Sequence, residues 1–264
     1  MSSSFLNNRW RLGPMLVCHL IAFLLLGSWL WQPSRELWDA FDLWLFRLLN
    51  DPVHAAGLWA RTWAIGSMRP VDAAVGLVML AVMLRSGLIL QGWQVRRALF
   101  AFLTALVTLL LLRVGFADLV EAMDWQRPSA SLVVEGSARL SQLFPDWEAR
   151  WDMKDRASRS FPGDHASVLL IWAAFMSFFA RRWTLLLVWA IALIGIMPRL
   201  VAGAHWGSDA FVGGVFLCLL ALAWSCYTPL GQRASDWLEK LTLPLTSRLA
   251  GLPLLGRLSV ISGR

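Results

Sequence analysis

Residues 12–31 read LGPMLVCHLIAFLLLGSWLW, a run of apolar side chains without a single Asp, Glu, Lys or Arg. A run of this length predicts a transmembrane helix, because a hydrocarbon core of about 30 Å needs about 20 helical residues. It is too long for the apolar core of a cleaved signal peptide, so we expect this helix to be retained. The composition agrees: 58% of the 264 residues are hydrophobic and only 16% are charged, against about 25% in a soluble domain.

Further apolar segments along the chain predict a polytopic, all-α membrane helix bundle. The six predicted transmembrane helices are residues 12–31, 71–92, 99–116, 165–180, 183–197 and 210–227. The fourth and fifth are short for a bilayer, so their ends should lie near the lipid headgroups.

The distribution of charge predicts how the bundle is oriented. One side of the six predicted helices carries eleven basic and two acidic residues, and the other side carries eleven basic and fifteen acidic residues. The positive-inside rule then places both termini in the cytoplasm and the loops 117–164 and 198–209 outside, in the periplasm if the membrane is a bacterial inner membrane. The net charge of +7 is scattered in pairs beside apolar runs and forms no basic stripe, so we expect no nucleic acid partner.

Two amphipathic segments are predicted to lie along the membrane surface. Residues 36–50 place Leu37, Trp38 and Phe41 at helical spacing, with Glu36, Asp39 and Asp42 on the opposite, water-facing side. The tail 231–264 is leucine-rich but broken by Pro244 and Pro253, which predicts a cytoplasmic interfacial segment without catalytic content. We therefore divide the chain into a catalytic domain, residues 1–230, and this tail.

Three short motifs fall in the two predicted outer loops and the adjoining helix ends, so we expect them to meet at one face of the membrane. They are WQRP at 125–128, SFPGDH at 160–165 and RLVAGAHWGSD at 199–209. If a helix has begun at His205, Asp209 shares its face and can hold one imidazole nitrogen while the other points outward, as a histidine nucleophile requires. Arg199 follows a helix break expected at Pro198, and its guanidinium could bind phosphoryl oxygens.

The second motif predicts a helix start with an anion site. Pro162 and Gly163 should open a helix whose free N–H groups and positive dipole end attract anions. His165 lies in that first turn and could act as a general acid and base, near its natural pKa.

The order Arg-Pro, Pro-x-x-His and Arg-x5-His-x3-Asp resembles the type 2 phosphatidic acid phosphatase superfamily. Within it, SFPGDH, PRLVAGAHW and the later TPL at 228–230 are similar to the lipid A 1-diphosphate synthases of Gram-negative bacteria. The likeness runs from about residue 38 to residue 230.

The resemblance implies a phosphoryl transfer between lipids at the outer face of the inner membrane, with no metal and no other cofactor. Undecaprenyl diphosphate would be the donor and the 1-phosphate of lipid A the acceptor. His205 would become a phosphohistidine oriented by Asp209, His165 would protonate the leaving group, and Arg127 and Arg199 would clamp phosphate. Ser160, Gly163 and Asp164 of the second motif would complete the phosphate site.

Two positions depart from the broad superfamily pattern. The lysine expected seven residues before Arg127 is Val120, so that phosphate contact is missing or is supplied by Lys154, Arg156 or Arg159. These three residues could equally form a solvated loop or bind a lipid headgroup. The second motif reads PGDH where the broad pattern has PSGH, which favours the diphosphate-synthase subgroup.

Several alternatives stay open at this level. Water could replace lipid A as the acceptor, which would make the chain a lipid phosphate phosphatase, or the charged loops could bind headgroups in a lipid transporter or scaffold. A zinc triad of His165, His205 and Asp209 is disfavoured, because Arg127 and Arg199 would add positive charge beside the metal. The sequence leaves the oligomeric state and any regulation undetermined.

Overall fold

A computed structural model describes residues 9–252 and 258–262, and this part of the chain is helical without an extended strand. It also contains a 3₁₀ turn, Asp51–Ala55, and a π-helical turn, Asp209–Gly214. The α-helices are α1 Leu12–Leu30, α2 Gln32–Asn50, α3 Leu58–Gly66, α4 Arg69–Leu84, α5 Gly92–Ala122, α6 Ala130–Val133, α7 Leu140–Leu143, α8 Pro145–Trp151, α9 Asp164–Ser177, α10 Trp183–Val201, α11 Val215–Cys226, α12 Pro229–Ala250 and α13 Ser259–Ser262.

Four of the six predicted spans correspond to helical segments that are long and apolar enough to cross a membrane: Leu12–Leu30, Gly92–Ala122, Trp183–Val201 and Asp209–Cys226. The other two predicted spans fall on shorter helices. Helix α9 is apolar but has 14 residues, and α4 has 16, fewer than the about 20 that a full crossing needs. The protein is thus a helical membrane protein, and the number of six complete spans stays a prediction.

Three helix boundaries differ from the sequence-based prediction. The predicted second span, 71–92, is wrong at its end, because α4 stops at Leu84 and α5 begins only at Gly92. Pro198 does not break α10, which continues through it to Val201. Pro244 likewise lies inside α12, which packs against α5, while Pro253 lies outside the described residues. A proline removes one backbone hydrogen bond, and packing against neighbouring helices can offset that loss.

The centre of the bundle is α11, which packs against α1, α5 and α9. The core contains large, fully buried side chains such as Trp172, Phe175 and Leu217. By contrast, α1 exposes Leu16, Leu20 and Leu24 on its outer face. A continuous exposed apolar surface of this kind is expected where a helix contacts lipid rather than water.

The second and third motifs meet at one end of this bundle. The Gly163 N–H, just before α9, donates to the Asp209 carbonyl at the start of the π-helical turn, at 3.0 Å. Arg113, in the C-terminal part of α5, reaches Asp164 at 2.5 Å. The same end holds the C-terminal end of α10 with Arg199. The predicted convergence of distant stretches is therefore present in the fold.

Buried Asn50, the last residue of α2, ties this end together. Its side-chain amide donates to the carbonyls of Ala138 (3.0 Å) and Val201 (2.9 Å), and its carbonyl oxygen accepts from the Ala138 N–H at 2.9 Å. These bonds join α2, the loop between α6 and α7, and the end of α10. The turn that carries His205 follows directly.

Candidate active site

A strongly basic cavity of about 370 Å³ opens at this end of the bundle. Six basic side chains and two carboxylates line it, together with both histidines of the motifs. Its lining residues are Arg69, Asp72, Arg113, Lys154, Arg156, Ala157, Arg159, Asp164, His165, Val168, Arg199, Ala204 and His205. Such a charge balance suits a ligand with several negative charges, such as a phosphate or diphosphate.

The ring of His205 is held by one nitrogen and faces the cavity with the other. Nδ1 lies 2.8 Å from the Ser160 carbonyl oxygen and 3.4 Å from an Asp209 carboxylate oxygen. Both groups only accept hydrogen bonds, so Nδ1 carries the proton. Nε2 of the neutral ring then has a free lone pair, and the nearest carboxylate oxygen to it, on Asp164, is 3.9 Å away. This is the tautomer that a nucleophilic histidine needs.

Asp209 supports His205 from a fully buried position, as the spacing predicted, but by a different local geometry. His205 lies in the turn after α10, and the helix begins after it, so the two residues do not share a helical face. The Asp209 carboxylate instead accepts from the Trp206 N–H at 2.8 Å, which closes the turn. Gly163 packs against the same backbone, where a Cβ would lie 2.7 Å from the Asp209 carbonyl oxygen. Any other residue at Gly163 would push the two motifs apart.

Arg127 lies behind His205 and does not line the cavity. It is 2.8 Å from Asp209, 2.9 Å from Asp42 and 2.5 Å from the Ser208 hydroxyl oxygen. The two carboxylates are almost completely buried. Burial alone would lower the pKa of Arg127, but Asp209 and Asp42 outweigh it and raise the pKa. The phosphate contact expected of Arg127 stays a prediction, since its guanidinium is bonded to protein carboxylates in this arrangement.

On the acidic side of α2, Glu36 and Asp39 are exposed as predicted, but the prediction is wrong for Asp42, of which only 1% is exposed. Its carboxylate accepts from the Ser208 N–H and the Ser208 hydroxyl, both at 2.7 Å. Burial raises the pKa of Asp42, and the attraction of Arg127 offsets part of that rise. Helix α2 thus contributes a buried anion to the support of the His205 turn.

Trp29 and Trp206 enclose Arg127 from two sides. The guanidinium carbon lies 5.5 Å from the Trp29 ring centre and 5.2 Å from that of Trp206, distances at which a cation is attracted to a ring face. The indole N–H of Trp206 also donates to the Pro128 carbonyl at 2.9 Å. The first and third motifs are joined by these contacts.

His165 lies in the first turn of α9, as predicted, and its ring faces the same cavity as His205. Nε2 lies 3.0 Å from the Gly195 carbonyl oxygen and 4.0 Å from an Asp72 carboxylate oxygen. Because a carbonyl accepts and cannot donate, Nε2 carries a proton. To act as a general acid the ring would need a second proton, on Nδ1, which makes it an imidazolium.

The helix start beside His165 offers fewer free donors than the sequence suggested. The Gly163 N–H is bonded to Asp209, and the His165 N–H donates to the Asp164 carboxylate at 2.8 Å. Ser160 is buried and its hydroxyl donates to the Arg127 carbonyl at 3.2 Å. Of Ser160, Gly163 and Asp164, only Asp164 lines the cavity.

Arg199 lies on the cavity wall near the end of α10, with only 7% of its side chain exposed. Its guanidinium forms an ion pair with Asp72, from the first turn of α4. A fixed, nearly buried guanidinium is a strong phosphate ligand because its fork matches two phosphoryl oxygens.

Lys154, Arg156 and Arg159, from the loop before α9, also line the cavity, as does Arg69 at the start of α4. Arg69, Arg156 and Arg159 are paired with Asp152, Glu148 and Glu121 at 2.7, 3.3 and 2.8 Å. Within the part of the chain that the structure describes, Lys154 forms no ion pair within 4.0 Å. Val120, where the superfamily has lysine, is completely buried.

The sequence analysis missed three side chains of this site: Asp42, Asp72 and Arg69. Asp72 carried a usable signal, since it is the one carboxylate within the predicted span 71–92 and ionisable residues inside spans are usually functional. Arg113, which lies within the predicted span 99–116, pairs with Asp164 and lines the cavity. Among the described residues, no group of three or more His, Cys, Asp or Glu side chains is arranged to hold a metal ion.

The fold and the site together define a class: a helical membrane protein with two histidines at a basic cavity suited to lipid phosphates. A family model described as the PAP2 superfamily matches residues 97–232, more than half of the chain. The chain therefore belongs to the PAP2 superfamily, which confirms the resemblance drawn from the motifs. It is an enzyme of the lipid phosphatase and phosphotransferase kind.

The curated relatives include the lipid A 1-diphosphate synthase of Escherichia coli K12. It is 27% identical to this chain over 234 residues, which cover 87% of this chain and 94% of the relative. No solved structure is significantly similar to the chain.

Proposed function

We propose that this protein transfers a phosphoryl group from undecaprenyl diphosphate to the 1-phosphate of lipid A through a phosphohistidine at His205. The observation that carries the proposal is the ring of His205, with Nδ1 protonated against Ser160 and Asp209 and Nε2 facing the basic cavity. The name of the Escherichia coli relative supports the choice of acceptor.

In the first half of the reaction, His205 Nε2 attacks the terminal phosphorus of the donor. A P–N bond forms as the bond from that phosphorus to the bridging oxygen breaks. Undecaprenyl phosphate leaves, and His165 gives its proton to the departing oxygen. Asp209 stabilises the positive ring of the phosphohistidine, and Arg199 stabilises the charge on the equatorial oxygens.

In the second half, an oxygen of the acceptor phosphate attacks the same phosphorus on the side opposite the P–N bond. This side has been vacated by undecaprenyl phosphate. The P–N bond breaks, the electron pair returns to Nε2, and His165 takes up any proton that the attacking oxygen carries. Donor and acceptor use one site in turn, so the kinetics should be ping-pong.

The phosphate groups are held by the cavity walls in this proposal. Arg199 binds the reacting phosphoryl group, and Lys154 supplies the ammonium that Val120 cannot. Lys154 suits this role because it has no carboxylate partner within 4.0 Å among the described residues, unlike Arg69, Arg156 and Arg159. Arg156 and Arg159 would add contacts to the lipid headgroup.

The proposed location is the inner membrane of a Gram-negative bacterium, with the cavity on the periplasmic side and both termini in the cytoplasm. The excess of basic residues on the opposite side of the bundle supports this orientation. Both lipids would then reach the cavity from the outer leaflet.

The test is an assay of purified protein in detergent with undecaprenyl diphosphate labelled at the terminal phosphate, with and without lipid A. We expect label on lipid A and release of undecaprenyl phosphate. The His205→Gln variant should lose at least about a thousandfold in rate, because it removes the attacking atom. His54→Gln is the matched control, since His54 is exposed and does not line the cavity.

Each outcome has one meaning. Free phosphate as the only labelled product, even with lipid A present, would make the protein a phosphatase that uses water as the acceptor. Unchanged activity in His205→Gln would reject the phosphohistidine. Lipid binding without turnover in the unaltered protein would favour a transporter or scaffold.

A further inference from the structure

Asp72 lies between Arg199 and His165, the two side chains that a bound phosphate would contact first. It lies in the first turn of α4, behind Pro70 at the helix start, and reaches into the cavity with its side chain 30% exposed. Its Oδ2 pairs with the Arg199 guanidinium, and its Oδ1 is 4.0 Å from His165 Nε2. No motif contains it.

We propose that Asp72 is a positioning residue for proton transfer. It stabilises the doubly protonated, imidazolium form of His165 when a phosphate group binds to Arg199. This rests on the general-acid role of His165 in the proposed function. It assigns His165 a carboxylate partner from a separate helix, so the site contains two histidine–carboxylate pairs, His205–Asp209 and His165–Asp72.

The charges around His165 make such a partner necessary. Arg199 faces it from α10, His205 from the turn after α10, Arg113 from α5, and Arg69 from the start of α4. Lys154, Arg156 and Arg159 complete the positive surroundings from the loop before α9. A protonated imidazole among these cations is disfavoured by like-charge repulsion unless a carboxylate is near.

Asp72 is better placed for this than Asp164, the other carboxylate that lines the cavity. Asp164 is bonded to Arg113 at 2.5 Å and to the His165 backbone N–H at 2.8 Å, and its nearest histidine ring atom is His205 Nε2. Asp72 has its second oxygen directed at the His165 ring itself. Asp164 therefore does not hold the His165 ring, whereas Asp72 lies within 4.0 Å of it.

Phosphate binding would shift Asp72 from one partner to the other. A phosphoryl group that binds the Arg199 guanidinium competes with Asp72 for the same N–H donors. The released carboxylate has His165 Nε2–H within 4.0 Å. The imidazolium then gives the proton on its other ring nitrogen, Nδ1, to the leaving oxygen, while the Nε2–H stays bonded to the Gly195 carbonyl and close to Asp72. His165 becomes neutral, and Asp72 stays ionised throughout.

The first experiment compares Asp72→Asn and Asp72→Glu in the labelled-donor assay. We expect Asp72→Asn to lower kcat about tenfold to a hundredfold, within the range of a general-acid contribution, with KM changed by less than about threefold. Asp72→Glu should recover most of the rate. Asp146→Asn is the matched control, since Asp146 is also in the first turn of a helix that begins with proline, but is exposed and away from the cavity.

The pH profile separates this role from a merely structural one. Without the carboxylate, His165 should lose its proton at lower pH, so the alkaline limb of the rate profile should move to lower pH in Asp72→Asn. An unmoved alkaline limb, or a raised KM with unchanged kcat, would overturn the proposal and leave Asp72 as a partner of Arg199 alone.

A double-mutant cycle with His165→Asn supplies a second readout. If Asp72 acts through His165, adding Asp72→Asn to that variant should change its residual rate by less than about threefold. Losses that multiply would contradict the proposal. Failure of the proposed function is distinguishable, since it would appear as unchanged turnover in His205→Gln or His165→Asn.

Discussion

Among the described residues, Arg127 is the arginine or lysine that contacts both buried carboxylates at the base of the His205 turn. It is within 2.9 Å of Asp42 and of Asp209, and both are nearly inaccessible to water. A buried carboxylate without a partner is costly, and removing one member of a buried ion pair costs about 3–5 kcal/mol. Arg127 therefore supports His205 indirectly, by holding the Asp209 carboxylate that contacts its ring.

Replacing Arg127 tests this at the level of one residue. Arg127→Gln should lower the free energy of unfolding by about 3–5 kcal/mol, because Asp42 and Asp209 lose their shared cation. The measurement is thermal or denaturant unfolding in detergent, with Arg61→Gln, an exposed arginine on α3, as the control.

A second substitution tests whether the loss of stability comes from the unpaired carboxylates. Adding Asp42→Asn to Arg127→Gln should restore part of the stability, because one of the two unpaired carboxylates is then neutral. If Arg127→Gln leaves stability unchanged and only raises KM, Arg127 is a phosphate ligand, as the superfamily resemblance implies.

At the scale of elements, the site depends on how α2 and α10 are joined. Asn50 at the end of α2 makes three hydrogen bonds to backbone groups, one of them to Val201 at the end of α10. Gly203, two residues later, has a φ of +69°, and a Cβ there would lie 2.5 Å from the Phe46 ring of α2. The turn that presents His205 is therefore shaped by contact with α2.

Asn50→Ala should loosen this junction. Three buried backbone groups would lose their partner, each at a cost of about 1–3 kcal/mol when unsatisfied, so we expect a loss of at least about 2 kcal/mol in unfolding free energy. A fall in kcat should accompany it, because a shift of about 1 Å at the nucleophile can cost a hundredfold. Gln142→Ala, an exposed amide on α7, is the control in both assays. Normal stability of Asn50→Ala would mean that the junction is held by packing instead.

At the scale of the whole molecule, the cavity and the start of α12 lie at opposite ends of the helix bundle. The N-terminal end of α1 contacts the end of α11, where the Arg11 N–H donates to the Tyr227 carbonyl at 2.9 Å. The His165 and His205 motifs lie at the far end of α9 and α11. One end of the helix bundle thus carries the site, and the other end carries the start of α12.

Site-specific labelling tests this arrangement in cells. Glu135→Cys in the loop after α6 and Ser247→Cys on α12 are each introduced into a chain whose Cys18, Cys218 and Cys226 are replaced by Ala. A charged maleimide that does not cross the inner membrane should label the first variant in intact spheroplasts and the second only after lysis. The reverse pattern would place the cavity in the cytoplasm. Retained phosphotransfer activity in each variant is the check that the fold is intact.

The sequence predicted the helical membrane class, the superfamily and the approach of three motifs to one another. These follow from local properties, because a long apolar run can be stable only in lipid and short motifs keep fixed spacings. The sequence-based prediction was wrong where packing against neighbouring helices overrides the helix-breaking tendency or apolar character of a local segment. Pro198 and Pro244 stay inside helices, and the shortness of α4 and α9 leaves four helical segments of full spanning length among the described residues.

The sequence by itself therefore indicated that this is a membrane protein and singled out four side chains that the fold brings together at one end of the bundle, His165, His205, Asp209 and Arg199. Only the tertiary structure decided the partner of each. Asp42 and Asp72 reach the site from α2 and α4, and Arg127 faces carboxylates behind the cavity. The physical reason is that the energy of a charge depends on its burial and on neighbours far away in the chain, which no local pattern encodes.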